Sequence, residues 1–177
     1  LISFISGFAV QTPIGNDYIG IGLDMFLGKN GDRFYPAIRQ SIPQYISRRF
    51  SPENISPRVI EAFIREEMFP ENDADRNLIS KMIYNGKILY FLDAVLADTP
   101  DILKIGYTTE QLQWCKDSEA GIWAYFLDNE LLFESDYLKI QKYLAEAPFT
   151  PGIGENSSSA PKLGVWTGWQ IVRQYME

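Results

Sequence analysis

The chain has 177 residues, of which 46% are hydrophobic and 14% are aromatic, and its formal net charge is −7. This length and apolar content are enough for one ordinary domain with its own core. The acidic balance and the lack of a basic stripe argue against nucleic acid or an anionic membrane surface as a partner. No run reaches the roughly 20 apolar residues that a transmembrane helix needs.

The sequence contains no histidine and a single cysteine, Cys115. Without imidazole there is no Ser-His or Cys-His relay, no histidine general base and no histidine metal ligand. One cysteine cannot form an intrachain disulfide, and Cys115 without a histidine partner fits a small core residue better than a nucleophile. Many familiar hydrolase and metal-site chemistries are therefore excluded.

The N-terminal region predicts a small sheet. Residues 1–10 and 18–27 are short, β-rich and almost continuously apolar, and the turn residues Gly15 and Asn16 lie between them. This pattern predicts a hairpin whose sheet is covered on both faces. Residues 37–49 then form a weak helical pattern.

The stretch from 56 to 96 predicts two helices separated by an acidic turn. Ser56 suits the N-cap, Pro57 the first helical position, and Pro70 ends the first helix. The second helix is apolar around most of its circumference, which is typical of a central, buried helix. We therefore expect this pair of helices to form the centre of the fold.

Three further helix starts are predicted from capping residues. Thr108 with Gln111, and Thr167 with Gln170, have the spacing of a capping box. In this motif the threonine side chain accepts the backbone N–H of the glutamine, and the glutamine side chain accepts the backbone N–H of the threonine. Residues 121–133 continue as helix, and Ser135 is expected to cap another that runs through Leu144. The resulting balance is α+β with helix dominant.

Residues 147–164 are rich in Pro, Gly and Ser, and a loop of this length is either functional or mobile. It contains Ser159 and Lys162, which have the S-x-x-K spacing of penicillin-recognising enzymes. The pair lies on a loop rather than at a helix start, and the partner motifs of those enzymes are missing. We therefore give this motif little weight.

The acidic turn contains a partial calcium-loop pattern. Asp73, Asp75 and Asn77 match its first ligand positions, but Leu78 replaces the glycine and Tyr84 replaces the final glutamate. A solvated turn between helices is the favoured interpretation.

Several stretches, spread over most of the chain in one order, carry a resemblance to a known family. They are Gly22–Lys29, Phe34–Pro36, Pro43–Ile46, Arg49-Phe50, Met82–Tyr90, Ile105–Thr108, Gln113–Cys115, Ala147–Thr150 and Gly164–Arg173. The chain resembles the GldB-type gliding-motility lipoproteins of the Bacteroidetes. The resemblance implies a role beside the gliding or type IX secretion machinery through contacts with envelope proteins. It also implies a location in the cell envelope, periplasm-facing or associated with the outer membrane. The N-terminal lipid anchor and other upstream sequence are expected to be absent from this fragment.

That family is in turn similar to zincin-like metallopeptidases, in which two histidines on one helix and a glutamate on the next bind zinc. Carried over to this chain, Arg65 and Phe69 stand where the histidines should be, Glu66 is the surviving glutamate, and Lys81 lies near the third-ligand position. An ammonium group repels zinc, which needs imidazole, thiolate or carboxylate donors. The resemblance thus implies a vestigial site without a metal, a cofactor or a catalytic residue.

Together, the sequence patterns predict one α+β, helix-dominant domain over residues 1–177, with a small N-terminal sheet packed on a helical core. The family resemblance implies that this domain has a zincin-like architecture. Two functions stay open. The first is a non-catalytic envelope protein that acts through protein contacts. The alternative is a metal-independent hydrolase of peptide or glycan that uses carboxylates such as Glu66-Glu67 or Asp128 and Glu130.

Overall fold

A computed structural model describes residues 1–28, 42–72, 74, 76–154 and 158–177. The chain divides into two compact units, residues 1–70 (unit 1) and residues 71–177 (unit 2). The expectation of a single domain stays a prediction.

Unit 1 contains a three-stranded sheet in the order β1-β3-β2, formed by β1 (Ile2–Phe4), β2 (Ile14–Gly15) and β3 (Tyr18–Gly22). β2 and β3 are antiparallel, whereas β1 and β3 are parallel. The predicted hairpin between residues 1–10 and 18–27 is therefore wrong, because the turn joins β2 to β3. The prediction that both faces of the sheet are covered is also wrong, since Ile2 of β1 is 51% exposed and Tyr18 of β3 is 45% exposed.

The loop after β1 is held by the carboxylate of Asp24. It accepts hydrogen bonds from the backbone N–H of Ser6 (2.9 Å) and of Phe8 (2.6 Å), and from the Ser6 hydroxyl. Burial by itself would raise the pKa of Asp24, but these hydrogen bonds lower it. A single buried carboxylate thus fixes the path by which the chain returns to the sheet.

The helical part of unit 1 packs on this sheet. It comprises a 3-10 turn (Leu23–Phe26), α1 (Gln44–Ser47), a second 3-10 turn (Pro52–Asn54), α2 (Ile55–Phe63) and a π-helical turn (Ile64–Met68). Its core is formed by Ile21, Met25, Phe26, Phe50 and Val59. Because the second 3-10 turn leads directly into α2, the helix begins before Ser56, which is not its N-cap. Of the weak helical pattern over 37–49, the part up to residue 41 lies outside the described residues.

Unit 2 is helical in its described part. It contains α3 (Leu78–Val95), α4 (Asp101–Ile105), α5 (Thr109–Asp117), α6 (Glu119–Asp128), α7 (Tyr137–Ile140) and α8 (Leu163–Met176), with 3-10 turns at Leu131–Phe133 and Gln141–Tyr143. Together with unit 1, this confirms a helix-dominant α+β protein with a small N-terminal sheet.

The caps in unit 2 agree with the sequence in part. The capping box of Thr108 and Gln111 is confirmed, with both reciprocal hydrogen bonds present. The cap of α7 is Asp136 rather than Ser135, and its carboxylate accepts the N–H of Leu138 at 3.0 Å. α3 is capped by Asn77, which accepts the N–H of Ser80 at 2.9 Å.

α3 and α8 form the centre of unit 2 and approach each other closely through glycines. A Cβ on Gly86 would overlap the carbonyl of Gly168, and a Cβ on Gly168 would overlap the carbonyl of Met82. Trp166 and Trp169 of α8 are fully buried beside this contact. The prediction of a central second helix is confirmed, but its partner in unit 2 is α8. The helix that precedes it in the chain belongs to unit 1.

α8 begins at Leu163, four residues before the predicted start. Thr167 lies inside the helix, and its hydroxyl donates to the carbonyl of Leu163 at 2.9 Å instead of capping. The capping-box prediction therefore failed because a threonine in a helix can satisfy its hydroxyl one turn back. The loop before α8 is held at both ends, since the N–H of Thr150 donates to the carbonyl of Ala160 at 3.1 Å. Residues 155–157 of that loop lie outside the described residues.

Candidate functional site

Three of the four vestigial-site candidates lie at the end of α2. Arg65 and Glu66 are part of the π-helical turn, which the N–H of Phe69 closes on the carbonyl of Ile64 at 2.8 Å. Arg65 donates twice to one carboxylate oxygen of Glu61, at 2.9 and 3.0 Å. Glu66 is exposed, and Phe69 is 48% exposed. This end of the helix therefore carries a partly buried ion pair rather than a cluster of metal-ligating side chains.

Lys81, the fourth candidate, lies in the first turns of α3 in unit 2. Its ammonium is 2.7 Å from a carboxylate oxygen of Glu71. Asp73 and Asp75 of the calcium-like pattern lie outside the described residues, and Asn77 serves as the cap of α3. In the part of the chain that the structure describes, no group of three or more potential metal-ligating side chains comes together.

The cysteine is placed as a core residue. Cys115 is buried, and burial raises the pKa of its thiol to about 12 although a hydrogen bond with Tyr107 opposes this. The thiol is therefore protonated near neutral pH, whereas the thiolate is the nucleophilic form.

The Ser-x-x-Lys motif is also occupied by structural bonds. The hydroxyl of Ser159 donates to the carbonyl of Thr150 at 2.8 Å and accepts the N–H of the same residue at 3.1 Å. The ammonium of Lys162 is 2.6 Å from the carboxylate of Glu146. Because Ser159 and Lys162 each bond to a different residue, their contacts hold the loop in place and do not join the two side chains to each other.

A partly buried ionic group, here called the Asp93 cluster, joins three helices of unit 2. It consists of Asp93 on α3, Asp101 and Lys104 on α4, and Trp169 and Arg173 on α8. Arg173 donates to both carboxylates at 2.7–2.9 Å, and Lys104 lies 2.8 Å from Asp93. The indole N–H of Trp169 also donates to Asp93, at 2.9 Å.

Electrostatics make the Asp93 cluster a clamp rather than an acid–base pair. Burial by itself would raise the pKa of Asp93, but hydrogen bonds from Arg173, Lys104 and Trp169 lower it. Burial by itself would lower the pKa of Arg173, but hydrogen bonds and charge interactions with Asp101 and Asp93 raise it above its usual value. A carboxylate held ionised by two cations is a weak base and cannot donate a proton near neutral pH.

Sequence reasoning missed the Asp93 cluster, although two signals were present. Asp93 is the only acidic residue in the sequence of α3, a helix that is otherwise mostly apolar. Trp169 and Arg173 are four residues apart, the spacing that puts two side chains on one helix face. An open cleft of about 530 Å³ lies beside the cluster and is lined in part by Tyr90, Ala97 and Met176.

A second feature of unit 2 is a group of exposed apolar side chains, here called the apolar turn (residues 127–138). Leu127 is 57% exposed, Phe133 80%, Tyr137 62% and Leu138 75%. Such a group within one short segment is unusual, because isolated exposed apolar residues are the normal case. The sequence predicts Phe133 at the end of a helix, and its pattern did not indicate this exposure.

The apolar turn is tied to its surroundings by packing and by hydrogen bonds. Its 3-10 segment packs on α3 and α6, and the N–H of Leu78 donates to the carbonyl of Glu134 at 2.9 Å. The carboxylate of Glu134 accepts the N–H groups of Ser135 and Asp136 and is 2.7 Å from the ammonium of Lys139. The hydrogen bond from Lys139 lowers the pKa of Glu134 the most, and the hydrogen bonds from the backbone N–H groups of Asp136 and Ser135 lower it further. The exposed side chains therefore project from a well hydrogen-bonded backbone.

A family model described as gliding motility protein GldB matches residues 1–177. The chain belongs to the GldB family. The resemblance found in the sequence is thereby confirmed, and the chain is associated with gliding motility. Searches of curated proteins and of solved structures found no significant match.

Membership bears on location as well. The label of the GldB family designates lipoproteins, which supports a lipid-anchored protein of the cell envelope. Among the described residues, no helix combines the length and the apolar character needed to cross a membrane.

Proposed function

We propose that this GldB-family chain is a non-catalytic envelope protein that acts through contacts with other envelope proteins beside the gliding or type IX secretion machinery. The observation that carries this proposal is the apolar turn, in which Phe133, Tyr137 and Leu138 are exposed on a hydrogen-bonded backbone. Exposed groups of this kind characterise interaction surfaces. Rigid aromatic side chains make good binding anchors, since little conformational entropy is lost when they are covered.

The arrangement of the reactive groups supports a role without catalysis. Cys115 is buried and protonated, and Asp93 is held by two cations. Ser159 and Lys162 each bind a structural partner. A catalytic group must be able to reach a substrate and to change its protonation or bonding, and these side chains are committed to the fold.

We further propose that the domain derives from a zincin-like ancestor whose metal site has been lost. The support is the position of the π-helical turn, Ile64–Met68, which covers most of the degenerate motif. Such turns occur preferentially at functional sites. Arg65 at a former ligand position now binds Glu61, and Lys81 binds Glu71.

Metal analysis of the purified protein tests this part of the proposal. After dialysis against buffer with zinc, we expect far less than one zinc ion per chain. Stoichiometric zinc would overturn the proposed loss of the metal site. The anchor and the periplasm-facing location are tested in cells by lipid labelling and by protease accessibility of the intact protein.

Chemical crosslinking followed by pull-down from envelope fractions tests the contact function. We expect specific partners for the wild-type chain and their loss in the double variant Phe133→Ser/Leu138→Ser. Tyr175→Ser serves as a control, because Tyr175 is 86% exposed in the same unit but lies outside the apolar turn. Failure to recover any specific partner would contradict the proposal.

A further inference from the structure

We infer that the apolar turn docks an apolar segment of an envelope protein that is flanked by lysine or arginine side chains. This inference rests on the proposed function, and it adds the chemistry of the partner. It follows from the exposed apolar side chains taken together with the charges around them.

The charges of the apolar turn are predominantly negative. Asp128, Glu130 and Asp136 are exposed carboxylates within the turn. The cation that follows it, Lys139, is 2.7 Å from the carboxylate of Glu134, so these two charges offset each other. The turn thus carries exposed apolar side chains interspersed along the chain with exposed carboxylates.

Charge complementarity selects the partner. Interfaces place opposite charges around an apolar centre, and juxtaposed like charges disfavour an incorrect partner. A second copy of this chain would bring the same carboxylates to its own apolar turn, and each copy has a net charge of −7. An anionic lipid surface would be repelled in the same way. A protein segment with basic flanks satisfies both the apolar and the acidic parts.

A pair of synthetic peptides tests the charge requirement directly. Both carry the same leucine- and phenylalanine-rich centre, flanked by lysines in one peptide and by glutamates in the other. Fluorescence anisotropy with the full chain is expected to show binding of the lysine peptide at least about tenfold tighter. Its affinity is expected to fall as NaCl is raised from about 0.05 M to about 0.3 M, since salt screens exposed charges.

Substitutions then assign this binding to the apolar turn. Phe133→Ser/Leu138→Ser is expected to weaken the lysine peptide by about tenfold or more, as loss of central anchors does. Asp128→Lys/Glu130→Lys is expected to weaken it several-fold and to improve the glutamate peptide. The matched control, Glu53→Lys/Asp98→Lys, changes two exposed carboxylates outside the turn and is expected to leave both affinities unchanged. Circular dichroism of each variant verifies folding.

Equal binding of the two peptides, or affinities that do not respond to substitutions in the apolar turn, would overturn the inference. Concentration-dependent dimerisation that Phe133→Ser abolishes would also overturn it, in favour of a second copy. So would binding to vesicles of phosphatidylethanolamine and phosphatidylglycerol that depends on the same residue.

Repeating the envelope crosslinking with the charge-reversed variant separates the contact function from the chemistry of the partner. If the crosslinked partners are lost both with Phe133→Ser/Leu138→Ser and with Asp128→Lys/Glu130→Lys, the result supports the contact function and the basic partner. Partners lost only in the apolar variant leave the contact function intact and reject the basic partner. Absence of any specific partner rejects the proposed function itself.

Discussion

The Asp93 cluster and the apolar turn are both parts of unit 2, but their side chains lie in opposite environments. In the cluster, charged groups are drawn inward and paired with several partners each. In the turn, apolar side chains are held outside by a backbone that is itself well bonded. Charged groups that pair internally are costly to separate, whereas exposed apolar groups on a fixed backbone leave binding energy available to a partner.

This contrast indicates where substitutions should affect folding and where they should affect binding alone. Changes around α3 and α8, where the Asp93 cluster lies, are expected to reduce stability. Changes in the apolar turn are expected to leave stability nearly unchanged.

Gly168→Ala is expected to destabilise unit 2 the most. A Cβ at this position would overlap the backbone carbonyl of Met82, and backbone atoms cannot move aside as a flexible side chain can. We expect a loss of about 3 kcal/mol or more in the free energy of unfolding, the upper range for overpacking a core. Urea unfolding followed by circular dichroism measures it.

Gly121→Ala is the matched control. Gly121 lies in α6, and among the described residues no packing neighbour comes within 4 Å of the place that a Cβ would take. Because alanine is the better helix former, this substitution is expected to stabilise by about 0.5–1 kcal/mol. A similar loss in both variants would contradict the close contact between α3 and α8.

Asp93→Ala is expected to cost about 3 kcal/mol, the lower end of the range for breaking a buried ion pair, because the cluster is only partly buried. Lys104, which is 4% exposed, would lose its nearest carboxylate. Arg173 would keep Asp101, which limits the loss. Thermal unfolding measures the effect, and an unchanged midpoint would show that the cluster is not a clamp.

The pH dependence of stability provides a further test. The pKa of Asp93 is lowered in the folded protein, so its contribution is present above about pH 4 and is lost as the pH falls through the folded value. Between about pH 7 and about pH 3, the wild type is expected to lose more stability than Asp93→Asn, which has no carboxyl to titrate. Equal losses in both proteins would contradict this assignment.

Phe133→Ser is expected to have the smallest effect on folding, within about 0.5 kcal/mol, as is usual for exposed positions. Phe133 is 80% exposed, so little buried surface is lost. Differential scanning calorimetry tests this point. A large destabilisation would mean that Phe133 belongs to the core and not to an interaction surface.

The sequence predicted elements that local rules control. The apolar circumference of α3 indicated a central helix, and Thr108 with Gln111 formed the expected capping box. It did not predict the parallel pairing of β1 with β3, because strand direction depends on the path of the intervening chain. Nor did it predict that Thr167 lies inside a helix, where its hydroxyl donates to the carbonyl of Leu163.

The candidate site was less accessible to sequence reasoning. The family resemblance implied a vestigial site at Arg65, Glu66, Phe69 and Lys81, and the structure places Arg65 and Lys81 in ion pairs. The Asp93 cluster joins residues up to 80 positions apart, and sequence spacing alone carries no information on such contacts. Exposure of Phe133 likewise depends on how α3 and α6 cover its neighbours, which is a property of packing.

Site-specific photo-crosslinking in cells tests the proposed contact function most directly. A benzophenone amino acid is placed at Tyr137 in the apolar turn or, as a comparison, at Ala97 beside the Asp93 cluster, and both positions are accessible. We predict a discrete crosslinked envelope partner from Tyr137 and none from Ala97. Crosslinks from Ala97 alone, or no crosslink from Tyr137, would contradict the assignment of the apolar turn as the contact surface.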